Sequence, residues 1–191
     1  FSGDSDAKLE RDDESAQIWQ RLFESKGIKA AVVNFGSPQA GYDQGMQGGR
    51  IFFYDASKNW WCRAGKIGDM PPGEPGGPDT EVFYEFDFIE HNTKWGEHCH
   101  PNCDCGRFME IGNSVFMEYL KNADGTFGKL PKQNVDFGGG LERMAAAAIG
   151  NRDVFTTDLF TNIISVVAAV TGQSYQDETR QPSMRVIADH L

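Results

Sequence analysis

Apolar residues fall at helical spacing early in the chain. Ile18, Leu22 and Phe23 line up across residues 14–26, with Asp12, Asp13, Glu14 and Ser15 leading in and Gly27 following. That pattern predicts an amphipathic helix with its own start and stop signals. The period then changes. Residues 28–35 form a short apolar run predicted to be a buried strand, 36–49 are rich in glycine and polar residues and predict a loop, and 51–54 predict a further strand. Residues 80–88 alternate like a half-buried strand, 108–119 are of similar type, and 122–125 (Asn-Ala-Asp-Gly) signal a turn. Between the two halves, 71–78 (Pro-Pro-Gly-Glu-Pro-Gly-Gly-Pro) is expected to be neither helix nor central strand.

The second half is helical. Residues 141–149 and 155–171 predict helices, the latter with Leu159, Ile163, Ile164, Val167 and Val170 on one face. Residues 177–182 predict a polar link, and 183–191 the start of another helical unit. Residues 1–6 are expected to be the tail of a strand followed by a cap. Strands first and helices after give an α+β fold with an antiparallel sheet flanked by helices.

Composition narrows the function classes. The 191 residues carry 39% hydrophobic and 24% charged side chains, ordinary for a globular chain with one sizeable core. No apolar run is long enough for a membrane span, and the start does not resemble a signal peptide, so a soluble, cytoplasmic protein is expected. A net charge of −10 argues against a general nucleic-acid coat while leaving room for a local basic patch. The chain opens on Phe1 and closes on an amphipathic run without a stop signal, which predicts a piece of a longer polypeptide.

Residues 131–149 hold the most chemistry. Gly138, Gly139 and Gly140 precede Leu141-Glu142-Arg143-Met144 and an alanine run, with Asp136 just upstream. Glycines there permit unusual dihedrals and close approach of a ligand to the backbone. A helix start supplies free N–H groups, and Arg143 one turn along supplies a rigid cation suited to phosphate. The spacing fits neither the phosphate-binding loop with its Gly-Lys-Ser/Thr nor the dinucleotide fingerprint. A second cluster lies at 98–105 (His-Cys-His-Pro-Asn-Cys-Asp-Cys), with His91 nearby. Three of the four cysteines crowd into seven residues, a layout that favours a metal over disulfides. Cys99, Cys103 and Cys105 with one of His98, His100 or His91 would complete a structural Zn2+ site, His98 being the nearest choice; a reduced loop without metal is the alternative.

The glycine stretch resembles the third signature motif of class II aminoacyl-tRNA synthetases, in the form Val135-Asp136-Phe137-Gly138-Gly139-Gly140-Leu141-Glu142-Arg143 that characterises the alanine-specific family. The likeness continues, in one collinear order over residues 10–191, through Asn59-Trp60-Trp61, Gly77-Pro78-Asp79-Thr80-Glu81, Glu110-Ile111-Gly112-Asn113, Ala123 to Thr126, Leu130-Pro131-Lys132 and Arg185 to His190. The resemblance implies a class II catalytic-domain fold, incomplete at its N-terminus. Residues 1–180 would be the C-terminal part of the aminoacylation domain, and 181–191 the start of a helical tRNA-recognition region.

It also implies an activity: ATP with Mg2+ activates alanine to the adenylate, which is passed to tRNA(Ala). Asp136 would meet the alanine ammonium, or else cap the helix. Trp61 would wall off the methyl group, or pack in the core. Asn113 would line the amino-acid pocket, or make a structural hydrogen bond. Arg143 would contact ATP, Gly138 and Gly140 would admit it to the backbone, and Glu81 would stand near the nucleotide or on a strand surface.

The family's two loop cysteines correspond here to Gly76 and Asp79. Nothing resembles its editing domain, although a methyl-sized pocket alone rejects glycine or serine poorly. The first two class II motifs are also unmatched; Arg50-Ile51-Phe52-Phe53-Tyr54-Asp55 is the nearest approximation to the second and stands in the wrong place. The chain alone is therefore expected to be inactive. A rival reading is a catalytically silent relative that binds an amino acid, a nucleotide or zinc.

Overall fold

The computed structural model describes residues 10–191, and the expectation for residues 1–6 lies outside them. The chain divides into two compact units, with the boundary between Gly139 and Gly140.

The first unit begins with α1 (Asp13–Ser25), capped by the Asp12 carboxylate accepting from the Ser15 N–H. Its inner face packs Ala16, Trp19 and Phe23 against Ile51 and Phe53. β1 (Ala31–Asn34) and β2 (Gly49–Phe53) pair in parallel, a two-stranded sheet the alternation pattern does not announce. Between them lies α2 (Pro38–Gln44), where a loop is expected from sequence. The signals for this helix are local: Ser37 caps the Ala40 N–H, Pro38 opens the first turn, and Gly45 ends it at a φ of 65°. Its seven residues are too few to show an apolar period.

A four-stranded antiparallel sheet completes this unit in the order β3 (Trp60–Cys62), β4 (Pro75–Glu85), β5 (Phe108–Lys121) and β6 (Phe127–Gly139). β3 is not announced by the sequence pattern, and two longer stretches also differ from expectation. β4 starts inside the proline-glycine segment and carries Pro75 and Pro78, because the register against β5 slips between Gly76 and Asp79. At that bulge the ladder needs no N–H from Pro78. A Cβ on Gly77 would stand 1.6 Å from the Phe116 carbonyl oxygen, so only glycine lets β5 approach.

β6 is the second difference. Residues 127–139 have little strand propensity, yet they pair along β5 with a shift between Met117 and Tyr119 that accommodates Pro131. Pairing to an available edge outweighs propensity here. Under the sheet, Trp60, Cys62, Met70 and Tyr119 form the core.

The second unit is helical: α3 (Leu141–Ala148), a single 3-10 turn at Val154–Thr156, α4 (Asp158–Thr171) and α5 (Gln181–His190). Ile164 and Val167 of α4 pack on Met184 and Ala188 of α5. α5 begins within the stretch expected to be a polar link, with Pro182 in its first turn. Asp153 ties this unit together, accepting from the Tyr175 hydroxyl at 2.7 Å and the Arg185 guanidinium at 2.8 Å. Among the described residues no helix is long and apolar enough to cross a membrane.

Candidate functional site

The register of the four-stranded sheet sets the site. Glu81 on β4 lies directly opposite Asn113 on β5, which lies opposite Gly138 on β6. In the adjacent row Asp79 faces Val115, which faces Asp136. Directly opposed residues and i, i+2 neighbours share a face. One face of the sheet therefore gathers Glu81, Asn113, Asp136 and Gly138, four of the positions singled out from sequence, and adds Asp79.

Asp79 is the polar hub and was missed in the sequence. It is 5% exposed, and its carboxylate accepts from Asn59 Nδ2 at 3.2 Å and from Asn113 Nδ2 at 3.1 Å. Burial pushes its pKa up, against the pull of those two hydrogen bonds. A signal was available: an acid directly after a proline-glycine run, two residues before another acid on an alternating strand.

Glu81 is pushed up to about 7, first by burial and then by the charges of Asp79 and Glu110. Among the described residues its Oε2 and the Oδ1 of Asn113 are buried without a hydrogen-bond partner. Two acceptors left open on one face of a sheet are an unusual arrangement, and they call for a donor or a cation.

Glu81 also lines a cavity of about 460 Å³, whose walls include Trp19, Phe23, Tyr54 and Asn102. Arg50, set aside in the sequence as misplaced for the second class II motif, lines the same cavity.

The glycines act differently from the expectation. Gly138 and Gly139 end β6 and do not begin a helix; only Gly140 serves as N-cap of α3, at φ −77°. Neither Gly138 nor Gly140 adopts positive φ, so their use is close approach and not an unusual dihedral. A Cβ on Gly138 would meet nothing within 4 Å, so the sheet face is open there. A Cβ on Gly140 would stand 3.2 Å from Arg143 Cδ; the glycine makes room for the arginine stem over the first turn of α3. Arg143 is exposed in the second unit, and Asp136 is an exposed strand residue, not a helix cap. Trp61 is 44% exposed, and the buried tryptophan of the pair is Trp60.

A second cluster forms in the connection between β4 and β5. His91, Cys99, Cys103 and Cys105 bring one ligand atom each to within 4.8 Å of one another. The histidine differs from the nearest choice in sequence. His98 adjoins Cys99, and successive side chains diverge: its ring lies 3.7 Å from the Glu97 carboxylate, while its backbone N–H donates to the Tyr42 carbonyl. His100 goes into the core, fully buried beside Tyr54, and burial lowers its pKa to about 4.

Comparison with known proteins agrees with this geometry. A family model described as "tRNA synthetases class II (A)" matches residues 7–191. The chain belongs to this class II synthetase family. Its relatives include the alanine–tRNA ligase of Treponema denticola, 38% identical over the whole chain and 26% of the relative's length. That of Thermotoga maritima is 41% identical over 77% of the chain and 16% of its own length. The chain thus spans about a quarter of the Treponema relative. The α+β class II fold expected from sequence is the one observed, with its antiparallel sheet and helices.

Proposed function

We propose that this chain forms part of an alanine–tRNA ligase, which activates alanine with ATP and Mg2+ and passes it to tRNA(Ala). The observation that carries the reading is the pair of open buried acceptors, Glu81 Oε2 and Asn113 Oδ1, on the sheet face that also bears Asp136 and Gly138. An α-ammonium is a three-donor cation that suits the open Asn113 acceptor, and the open Glu81 oxygen suits the cation of a Mg2+-bound nucleotide. The family match supplies the substrate class.

In this reading Asn113 and Asp136 receive the alanine ammonium, while Trp61 contributes an apolar surface beside the methyl group. Glu81 faces the Mg2+-bound nucleotide. Gly138 and Gly140 let ATP reach the backbone, and Arg143 pairs with its phosphates. The alanine carboxylate oxygen attacks the α-phosphorus, a C(O)O–P bond forms, and the bond to the β-phosphate oxygen breaks to release pyrophosphate. Positioning and fixed charge do most of this work.

Residues 1–180 serve aminoacylation and 181–191 open the tRNA-recognition helices. The first two class II motifs are assigned to the remainder of the polypeptide, so the isolated chain is expected to be inactive. The protein acts in the cytoplasm, and the cysteine-histidine cluster holds a structural Zn2+.

The test is amino-acid-dependent ATP–pyrophosphate exchange by the full-length parent with all twenty amino acids. Exchange with alanine, and weakly with glycine or serine, supports the reading. Exchange with none of them moves the assignment to a silent binding module.

A further inference from the structure

The connection from β4 to β5 runs through residues 86–107, long for a hairpin, and its regular structure is a single 3-10 turn at Thr93–Trp95. Loops of this length without elements of their own need another source of order. Apolar burial is concentrated at its start, where Phe86 is buried, while Phe88 and Trp95 are exposed. Instead the segment folds its thiols and one imidazole inward.

The geometry there is that of a closed metal site. Cys99 Sγ and Cys105 Sγ lie 3.4 Å apart, and Cys103 Sγ lies 3.7 Å from His91 Nδ1. Zn–S bonds of about 2.3 Å and Zn–N bonds of about 2.0–2.1 Å in a tetrahedron require ligand separations of about 3.5–3.8 Å. His91 Nε2 sits 2.9 Å from the Gly96 carbonyl oxygen, so it carries the proton and leaves Nδ1 with its lone pair toward the thiols. Three sulfurs and one nitrogen favour Zn2+ over the oxygen-seeking Mg2+ and Ca2+. Binding releases the three thiol protons and gives the centre a net charge of −1.

The metal-bearing segment is anchored at both sides. At the hairpin base the Arg107 guanidinium pairs with Glu85 at 2.8 Å. Between the ligands, the His98 N–H donates to the Tyr42 carbonyl. His100 enters the α2–β2 layer, its ring 4.3 Å centroid-to-centroid from Tyr42 and its Nδ1 2.8 Å from the Tyr54 hydroxyl. Directly after it, Pro101 and Asn102 form a wall of the cavity that Glu81 lines.

We infer that one Zn2+ held by His91, Cys99, Cys103 and Cys105 fixes this segment as a wall of the Glu81 cavity, the ion acting as an internal fastener of the connection whose His98 and His100 reach the α2–β2 layer. The fastener role rests on the zinc reading given above and is independent of alanine activation.

The purified chain tests it in two steps. Metal analysis should find one equivalent of zinc, and Co2+ substitution should give thiolate charge-transfer bands with the d–d pattern of a tetrahedral site. His91→Asn and Cys103→Ser should lose the metal, while His98→Asn keeps it. Less than half an equivalent in the wild type, or loss in His98→Asn, overturns the site. Chelation of the wild type, which avoids any folding defect of a variant, tests the fastener by hydrogen exchange. Amides of 98–105 should exchange about tenfold faster in the apo form, with β3 unchanged. Zinc bound at one equivalent but unchanged exchange at 98–105 after its removal overturns the fastener alone.

Discussion

Glu81 and Asn113 stand opposite one another on β4 and β5, and each keeps one buried oxygen unpartnered among the described residues. Asn113 is oriented by its other end, since its Nδ2 donates to Asp79. The amide therefore cannot turn to give Glu81 a hydrogen without abandoning Asp79, and Asn113 Oδ1 stays an acceptor.

Stability should report the cost of that arrangement. The unfolded chain releases the Glu81 proton near 4.5, whereas the folded protein holds it to about 7. The folded state binds more protons in that window, so stability falls as pH rises from 4.5 to 7. The effect is on the order of 3 kcal/mol. Glu81→Gln should be more stable than wild type at pH 8 and nearly equal at pH 4.5. Urea unfolding at both values checks it, and an equal difference at the two would remove the titration argument.

Asp136 separates function from fold. It is exposed on β6, so Asp136→Asn should change stability by less than about 0.5 kcal/mol. In the full-length parent the same variant should abolish alanine-dependent pyrophosphate exchange. Near-normal exchange would exclude Asp136 from the amino-acid site.

Gly41→Ala sets helix propensity against packing. Alanine gains about 1 kcal/mol in a helix interior. Its Cβ, however, would stand 2.6 Å from Cγ of the buried His100 ring. Overpacking of this kind costs about 1–3 kcal/mol, so thermal melting should show net destabilisation. A rise in melting temperature would mean that His100 does not fill this place.

In the helical unit, Asp153→Ala strips the acceptor from both Tyr175 and Arg185 and removes the carboxylate that accepts from the Phe155 N–H. A loss of about 1–3 kcal/mol is expected in denaturant melts. Arg185→Lys should recover little of the wild-type stability, because a single ammonium does not reproduce the guanidinium reach to Asp153 and the Tyr175 hydroxyl together.

The sequence by itself determined the elements with a clear period and the family. α1, α4 and the strands around 51–54, 80–88 and 108–119 were legible because each must show one apolar face to a core. The family was legible because the stretch from Val135 to Arg143 and the flanking motifs stand in one collinear order. Only the tertiary structure decided what long-range pairing and packing create. β6 exists because β5 offers an edge, and α2 because Ser37, Pro38 and Gly45 close a helix too short to have a period. Asp79 is the hub because the β4 bulge and the β5 register bring Asn59 and Asn113 to its two oxygens. His91 replaces His98 in the metal group because nearness along the chain does not fix direction. Adjacent side chains diverge, and a residue eight positions away folds back to face the thiols.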